Sequence, residues 1–450
     1  MSALLIRDAT AVALMDDART VLRDASILIE GPAIRAIGAG AAGETIDARG
    51  KLVLPGFVNT HHHLFQTLTR AVPRVQNAEL FEWLTTLYGI WAGIDAEAVH
   101  AAAQAGLGEL LLSGCTTSSD HHYLPVPVDE TVRAAADLGI RFHPTRGSMS
   151  LGRSKGGLPP DELCEDDASI LADSERVIAT YHDPKPLSMC RVGLAPCAPF
   201  NVSETLMKHT ATLAKRRGVR MHTHLAETLD EEAYCRERHQ CRPIEYLDRC
   251  GWMRGDVWLA HMVHPSDEEI ARLARAGVGV AHCPTSNLRL RSGRAPVAKM
   301  LGAGVRVGLG VDGSASNDGS DMLGEVREAF LTHRTEWMSH WDALWMATRG
   351  GAAVLGRDDI GEIAPGKAAD LVLLDLEGLA TAGAGHDPVA AAVYCRPRVD
   401  TVIVNGRVVV ERGELRTADA KAIARRANEI GARLVADASA RTGIDYLRRQ

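Results

Sequence analysis

The sequence predicts an α/β protein: a (β/α)8 barrel of the TIM type, with a small β-sandwich domain formed by the N- and C-terminal segments. Between residue 52 and about residue 356, eight runs rich in apolar and β-branched residues alternate with helical stretches. Polar residues gather at the carboxyl end of most of these runs, which favours a barrel over a doubly wound sheet. Short strand-like runs return near both ends of the chain.

The first part of the sandwich is predicted at residues 1–54. Its runs LLIRDATAVALM, SILIEGPAIRAIG and GKLVLPG combine apolar and β-branched residues with turn residues, a pattern typical of small antiparallel strands. The pattern returns at residues 360–416, where Asn405-Gly406 is a type I′ hairpin signal. We expect these two segments to share one sheet.

The barrel is predicted at residues 55–359. A Gly/Pro-rich stretch at residues 151–160 follows the third strand and is a candidate active-site lid. Residues 417–450 are rich in Ala and Arg and are predicted to form a helical tail. The predicted barrel strands, in chain order, are VLPGFVNTHH, CTTSSD, RFHPTRG, CRVGLAPC, VRMHTHLA, VWLAHMVH, GVAHCPTS and RVGLGVD.

Composition narrows the class of protein. The chain has 450 residues, 46% hydrophobic and 24% charged, which suits a compact globular fold. A net charge of −7 without a Lys/Arg run argues against a nucleic-acid or anionic-membrane partner. Nine scattered cysteines without a CxxC pair indicate reduced thiols. With no signal-peptide pattern and no apolar run near 18 residues, we expect a cytoplasmic protein.

The segment NTHHHLFQ suggests a metal site. Side chains two apart on a strand point the same way, so His61 and His63 face one side and His62 the other. Two imidazoles in this arrangement can bind one zinc or iron ion. A lone HxH is more often a histidine-rich loop without such a role.

Histidine and acid recur at the ends of other predicted strands, which strengthens the metal hypothesis. Packing alone does not account for so many polar side chains from separate strands at one barrel mouth. The residues are His222, His224 and Glu227 at the fifth strand, His261 and His264 at the sixth, His282 at the seventh and Asp312 at the eighth.

The motifs PGFVNTHHH, HTHLAE, LAHMVH and GVDGSASND resemble those of the amidohydrolase superfamily, in its branch of purine and pyrimidine deaminases and triazine hydrolases. The resemblance covers nearly the whole chain, including the split sandwich. It implies one divalent ion, Zn²⁺ with Fe²⁺ as the alternative, held by His61, His63, His224 and Asp312. The end of the fourth strand lacks the lysine that dinuclear relatives carboxylate, which favours a single ion.

The resemblance also implies the chemistry. A bound divalent ion lowers the pKa of its water from 15.7 to roughly 7. Asp312 would accept the proton of that water, Glu227 would protonate a ring nitrogen of the substrate, and His261 would stabilise the new oxygen. Without the resemblance, Glu227 could be a carboxylate at a helix N-terminus and His261 a buried hydrogen-bonded histidine.

Substrate contacts are predicted at six positions. Gln66 completes HxHxxQ, similar to guanine deaminases, and its amide offers both a donor and an acceptor. CTTSSDHHYL, with His122 and Tyr123, resembles the 8-oxoguanine deaminase subgroup. Trp83 could stack on a flat heterocycle or pack in the core. Two further candidates are Cys197 and Asn287, with packing or turn roles as the alternative.

These observations predict an aminohydrolase that converts an oxopurine, 8-oxoguanine, to urate and ammonia. A triazine hydrolase releasing chloride or alkylamine is the first alternative, and guanine, isocytosine and cytosine deaminases are others. A noncatalytic binding protein on the same scaffold would predict degraded ligands or a missing Glu227. The expected partner is a small heterocycle, and the resemblance implies a homo-oligomer.

Overall fold

The computed structural model describes residues 3–38, 40 and 42–449. The strands of this part of the chain are β1 (Ala3–Ala13), β2 (Val21–Glu30), β3 (Ala33–Ile37), β4 (Glu44–Asp47), β5 (Lys51–Pro55), β6 (Phe57–Asn59), β7 (Cys115–His122), β8 (Arg141–Ser148), β9 (Gly193–Pro196), β10 (Arg220–Leu225), β11 (Val257–His261), β12 (Gly279–His282), β13 (Arg306–Leu309), β14 (Leu371–Asp375), β15 (Val399–Val404), β16 (Arg407–Glu411) and β17 (Glu414–Leu415).

Its α-helices are α1 (Leu80–Trp91), α2 (Ala96–Leu112), α3 (Asp129–Leu138), α4 (Asp167–Tyr181), α5 (Glu204–Arg217), α6 (Leu229–His239), α7 (Pro243–Arg249), α8 (Asp267–Ala276), α9 (Pro284–Arg289), α10 (Val297–Gly302), α11 (Met322–Thr332), α12 (His340–Trp345), α13 (Gly351–Val354), α14 (Pro388–Tyr394) and α15 (Ala420–Thr442). None of the helices in the described ranges is long and apolar enough to cross a membrane.

Strands β6 to β13 form the predicted barrel, with parallel pairing between each strand and the next in chain order. The barrel is nearly closed. At the seam between its first and last strands, the Thr60 N–H donates to the Leu309 carbonyl at 2.9 Å and the Val311 N–H to Asn59 Oδ1 at 2.9 Å. Because all eight strands are parallel, their carboxyl ends open at one face.

The strands at the two chain ends share one sheet, as predicted. Its order is β17-β16-β15-β14-β5-β1-β2-β3, with β4 paired to β1. This sheet is mixed. Strand β1 runs parallel to β4 and β5, whereas the pairs β1–β2 and β5–β14 are antiparallel. Asn405 and Gly406 form the predicted two-residue hairpin loop, and both have positive φ (52° and 76°), as a type I′ turn requires.

A buried ion pair joins the barrel to the mixed sheet. Arg141 at the start of β8 donates from Nε to Asp370 Oδ2 at 2.7 Å and from Nη2 to Asp370 Oδ1 at 3.0 Å. Both side chains are almost completely buried. The same guanidinium donates to the carbonyls of Leu187 and Ser188, so its charge is fully hydrogen-bonded.

The predicted helical tail corresponds to α15, which packs on α1 and α2. The division into domains remains a prediction. Its first border, between residues 54 and 55, lies inside β5, whereas the borders at 359/360 and 416/417 fall between elements. Residues 151–160 form turns and a short 3-10 helix between β8 and α4, and their role as a lid remains a hypothesis.

Candidate metal centre and active site

Five polar side chains that the sequence points to meet at the carboxyl ends of the barrel strands. His61 and His63 directly follow β6, His224 lies in β10, His261 ends β11 and Asp312 follows β13. All five side chains lie in the barrel mouth with little or no solvent exposure. One ligand atom from each of His61, His224, His261 and Asp312 lies within 4.8 Å of the others, so a single ion could contact several of them.

The rings of His63 and His224 turn unprotonated nitrogens toward each other. His63 Nδ1 lies 2.8 Å from the carbonyl of His121, and His224 Nδ1 lies 2.7 Å from the carbonyl of Cys197. Because a carbonyl only accepts, both Nδ1 atoms must carry the proton. The two Nε2 atoms, 3.0 Å apart, therefore face each other with lone pairs when the rings are neutral. A cation between them relieves this repulsion.

The same reasoning gives the tautomer of His61. His222 Nδ1 lies 2.9 Å from the Trp258 carbonyl and must donate to it, which leaves His222 Nε2 as an acceptor. His61 Nδ1 therefore donates to His222 Nε2 at 2.7 Å. The lone pair of His61 Nε2 then points toward the Asp312 carboxylate, with Oδ1 at 3.2 Å. In the described part of the chain this buried nitrogen has no hydrogen-bond partner.

The charge states of these groups fit a divalent cation. Burial lowers the pKa of His63 to about 3 and also lowers the pKa of His61 and His224, so the three imidazoles are neutral at pH 7. Burial alone would raise the pKa of Asp312, but the facing histidines outweigh it and hold that pKa well below the ordinary value. Three neutral imidazoles and one carboxylate are a donor set that zinc or iron accepts.

The Asp312 carboxylate is held by its own loop and by a neighbouring helix. Ser286 Oγ donates to Asp312 Oδ2 at 2.6 Å, and Ser316 Oγ donates to the same atom at 3.2 Å. The Gly313 N–H donates to Oδ1 at 2.7 Å. Asp312 itself has φ of +62°, a left-handed conformation that is uncommon for a residue other than glycine. These contacts fix the orientation of the carboxylate, as the role of a metal ligand would require.

Glu227 and His261 form a pair beside this centre. His261 Nε2 lies 3.4 Å from Glu227 Oε2, and Ser292 Oγ donates to Glu227 Oε1 at 3.1 Å. His261 Nδ1 donates to Asn287 Oδ1 at 2.9 Å. Burial raises the pKa of Glu227; burial would lower that of His261, but the carboxylates of Glu227 and Asp312 raise it. The pair can therefore hold a proton near neutral pH.

A small cavity adjoins the centre. Its volume is about 30 Å³, so a bicyclic heterocycle can enter only if lining side chains move. Four of the predicted substrate contacts, Gln66, Trp83, Tyr123 and Cys197, lie in its wall. The complete lining is His63, Gln66, Leu80, Trp83, Leu84, Tyr88, Tyr123, Cys197, Phe200, Asn201, His224, Glu227, His261, Leu290, Asp312 and Ser316.

The structure places the other two predicted substrate contacts behind the cavity wall. Side chains alternate across β7 and the residues after it, so His121 and Tyr123 point inward and His122 points away, where its Nε2 donates to the Val126 carbonyl at 2.8 Å. Asn287 lies behind His261 and accepts its Nδ1 proton. Its contact with that ring corresponds to an orienting role.

Sequence reasoning missed several residues of the site. Tyr88 and Asn201 line the cavity from α1 and from the turn after β9, and neither is part of a motif. His121 is more informative: one of its nitrogens lies within 4.8 Å of donor nitrogens of His61, His63 and His224. The two-residue alternation that separates His122 from Tyr123 is the signal that could have identified His121.

Known proteins resemble this chain over nearly its whole length. The sequence model of the amidohydrolase family matches residues 52–409. The 8-oxoguanine deaminase of Pseudomonas aeruginosa is 46% identical over 425 residues, which is 91% of this chain and 94% of that protein. The hydroxydechloroatrazine ethylaminohydrolase of Pseudomonas sp. (strain ADP) is 36% identical over 438 residues, covering 92% and 91%.

Solved structures also resemble it. The crystal structure of atrazine chlorohydrolase from Arthrobacter aurescens TC1 complexed with zinc superposes with a TM-score of 0.90 at 38% identity, covering 95% of this chain and 100% of that one. An adenosine deaminase from Xanthomonas campestris with bound zinc superposes with a TM-score of 0.87 at 28% identity, covering 96% and 98%. The architecture of this chain thus occurs in proteins whose crystal structures contain zinc.

Proposed function

This chain belongs to the amidohydrolase family, and we propose that it deaminates an oxopurine, with 8-oxoguanine as its substrate and urate and ammonia as its products. One observation carries the reaction class: the Glu227–His261 pair lies beside imidazole lone pairs that converge on a buried carboxylate. The substrate assignment is supported by the 46% identity to an 8-oxoguanine deaminase.

We assign His61, His63, His224 and Asp312 as the ligands of one divalent ion, Zn²⁺, with Fe²⁺ as the alternative. Their converging lone pairs and the Asp312 charge support this set. His261 is also near, but its Nε2 faces Glu227 and its pKa is raised, so we assign it to the substrate side. When bound, such an ion lowers the pKa of a coordinated water to roughly 7.

The reaction adds one water and releases one ammonia. The oxygen of water bonds to the ring carbon that carries the exocyclic amino group, the bond from that carbon to the amino nitrogen breaks, and no oxidant or reductant is needed. Asp312 accepts a proton from the attacking water at its carboxylate and passes it to the amino nitrogen, which leaves as ammonia. Glu227 delivers a proton from Oε2 to the adjacent ring nitrogen and regains one from the second hydrogen of the water. His261 stabilises the charge that develops on the new oxygen.

The cavity wall offers groups suited to an oxopurine. Gln66 Oε1 is buried and has no hydrogen-bond partner within the described ranges, and the Tyr88 hydroxyl is in the same state. A ligand that supplies donors and acceptors would satisfy both groups. Trp83 donates from Nε1 to the Ala315 carbonyl, so its hydrogen bond is already made and its ring can act only through packing or stacking.

Triazine hydrolysis is the second candidate function. It is favoured by the TM-score of 0.92 to a triazine hydrolase variant, at 38% identity. The two functions share the proposed metal ligands and differ in the leaving group. Ammonia from a purine supports the first, and chloride or alkylamine from a triazine supports the second.

The deciding experiment measures product release from purified, metal-analysed protein. The panel contains 8-oxoguanine, guanine, isocytosine, cytosine, and a chlorinated and a hydroxylated aminotriazine. We expect rapid ammonia release from 8-oxoguanine, with Glu227→Gln retaining metal but losing most turnover. Chloride or alkylamine from a triazine, with no ammonia from any purine, would overturn the substrate assignment.

A further inference from the structure

We propose that Glu231 is a positioning residue of the active site, because its carboxylate holds the backbone of the turn that presents Glu227. The inference rests on the proposed function, since it assigns Glu227 the proton transfer. Glu231 lies in the first turn of α6, and its side chain is completely buried. It does not line the substrate cavity, so any effect on turnover must act through another residue.

The two carboxylate oxygens of Glu231 accept hydrogen bonds from two consecutive peptide N–H groups. Oε1 accepts the N–H of Ala226 at 3.0 Å, and Oε2 accepts the N–H of Glu227 at 2.9 Å. The peptide nitrogen that carries Glu227 is therefore tied to the start of α6. Displacement of this peptide would move the Glu227 side chain relative to the substrate and to His261.

This contact differs from ordinary helix capping. In a capping box, the glutamate at the third helical position bonds to the backbone N–H of the N-cap residue. Glu269 does so in α8, where its carboxylate accepts the N–H of Ser266 at 2.8 Å. Glu231 occupies the equivalent position in α6 but reaches past its N-cap, Thr228, to the two preceding residues. Its contacts therefore hold the turn before α6, in addition to any effect on the helix.

The turn that Glu231 holds has a strained backbone. Ala226 has φ of +52°, in the left-handed region that disfavours residues with a Cβ. Its carbonyl accepts the N–H groups of Val263 and His264, at 2.9 and 3.0 Å. Glu231 on one side and the turn after β11 on the other thus hold the peptide in this conformation. The turn after β11 follows directly after His261. The hydrogen bonds on the two sides of Ala226 therefore hold both members of the Glu227–His261 pair in place.

Stability alone does not explain a glutamate at this position. Within the described residues, no lysine or arginine forms an ion pair with Glu231, and burial raises the pKa of its carboxyl to about 7. Burying a carboxylate without a cation is costly unless its hydrogen bonds compensate. Here the compensating hydrogen bonds come from the N–H groups of Ala226 and Glu227. The same bonds that offset the cost of burying the Glu231 carboxylate therefore also position Glu227.

The test variant is Glu231→Gln. Glutamine keeps the size and one acceptor, but its NH₂ group faces one of the two N–H donors and cannot bond to it. We expect kcat to fall about 10- to 100-fold, with little change in KM and full metal content. We also expect faster amide hydrogen exchange at Ala226 and Glu227. The matched control, Asp230→Asn, removes an exposed carboxylate from the same helical turn. It should change neither kcat nor the amide exchange rates of Ala226 and Glu227.

A double-mutant cycle separates this inference from the proposed function. If Glu231 acts through Glu227, the Glu231→Gln change costs little further turnover in the Glu227→Gln background. A full additional loss in that background, or wild-type kcat and exchange rates in the single variant, would overturn the positioning role. Wild-type turnover in Glu227→Gln would instead overturn the proton-transfer assignment. If Glu231→Gln does not fold, Glu231→Asp, which keeps the charge but shortens the reach, is measured in the same cycle.

Discussion

The Nε2 atoms of His63 and His224 lie 3.0 Å apart, and neither carries a proton when its ring is neutral. With His61 Nε2 and the Asp312 carboxylate, they form a site whose donors repel one another when no cation is present. We therefore expect bound metal to stabilise the fold. An ion at 100 times its dissociation constant adds about 2.7 kcal/mol to the free energy of unfolding.

Thermal unfolding with and without a chelator checks this expectation. Chelation should lower the Tm, and readdition of Zn²⁺ should restore it. The His224→Ala variant should show no chelator effect, whereas His209→Ala, which removes an exposed histidine from α5, should behave as wild type. An equal Tm with and without metal in the wild-type protein would contradict the assignment of these ligands.

Gln66 and Gly313 provide a paired test of substrate recognition. A Cβ atom at Gly313 would lie 1.8 Å from Gln66 Oε1, so an alanine there must displace the amide. Gln66→Ala and Gly313→Ala are both expected to lower kcat/KM for purines by about 10-fold or more, equal to about 1.4 kcal/mol. Steady-state kinetics across the purine and triazine panel measures the change. Unchanged purine selectivity in both variants would remove Gln66 from the recognition site.

The barrel and its metal-binding mouth were predictable because they depend on local patterns. The alternation of apolar runs with helices identified all eight barrel strands, and the period of two along NTHHH placed His61 and His63 on one side. The mixed sheet was predictable only as a shared sheet. The parallel pairing of β1 with β4 and β5 depends on long-range packing that a period of two does not encode.

The cavity wall was less predictable. Tyr88 and Asn201 reach it through the packing of α1 and of the turn after β9 against the barrel, which no motif records. Asn287 carried a polar side chain at the expected strand end, but sequence spacing cannot tell a residue that lines the cavity from one that orients His261. From its position in the sequence, Glu231 is expected to be a helix-capping glutamate. Only the structure shows that its carboxylate instead bonds to the N–H groups of Ala226 and Glu227.

Glu325 predicts a pH dependence of stability. Its buried carboxyl has a pKa raised from the ordinary 4.5 to about 8, chiefly by burial. A raised folded-state pKa means that the folded state binds more protons than the unfolded state between these two values. The stabilisation is therefore complete below pH 4.5 and is lost as the pH rises toward about 8.

The isosteric variant Glu325→Gln tests this linkage. Its amide can still accept the Asn317 Nδ2 proton, which Glu325 Oε1 accepts at 2.6 Å, but it does not ionise. We expect the variant to match the wild-type Tm near pH 5 and to exceed it near pH 9. Parallel Tm profiles for the two proteins over this range would show that Glu325 does not titrate in the folded state.

The ion pair between Arg141 and Asp370 should contribute to stability without affecting catalysis. The pair lies where the barrel meets the mixed sheet, at the start of β8 and away from the carboxyl ends that carry the metal centre. Arg141→Met would leave the Asp370 carboxylate buried without its cation, which typically costs about 3–5 kcal/mol. Chemical denaturation should register this loss, while the folded variant keeps the wild-type kcat.

The double variant Arg141→Met/Asp370→Asn distinguishes two causes of the lost stability. One is the loss of the Arg141 contacts, and the other is the cost of burying an unpaired Asp370 carboxylate. Asparagine removes the negative charge and retains an oxygen that can accept the Asn405 N–H, which Asp370 Oδ1 accepts at 2.7 Å. If the buried, unpaired carboxylate causes most of the loss, the double variant should be more stable than Arg141→Met alone. Equal stability of the two variants would mean that the loss comes from the guanidinium's other contacts, to the carbonyls of Leu187 and Ser188 and to Asn405 Oδ1.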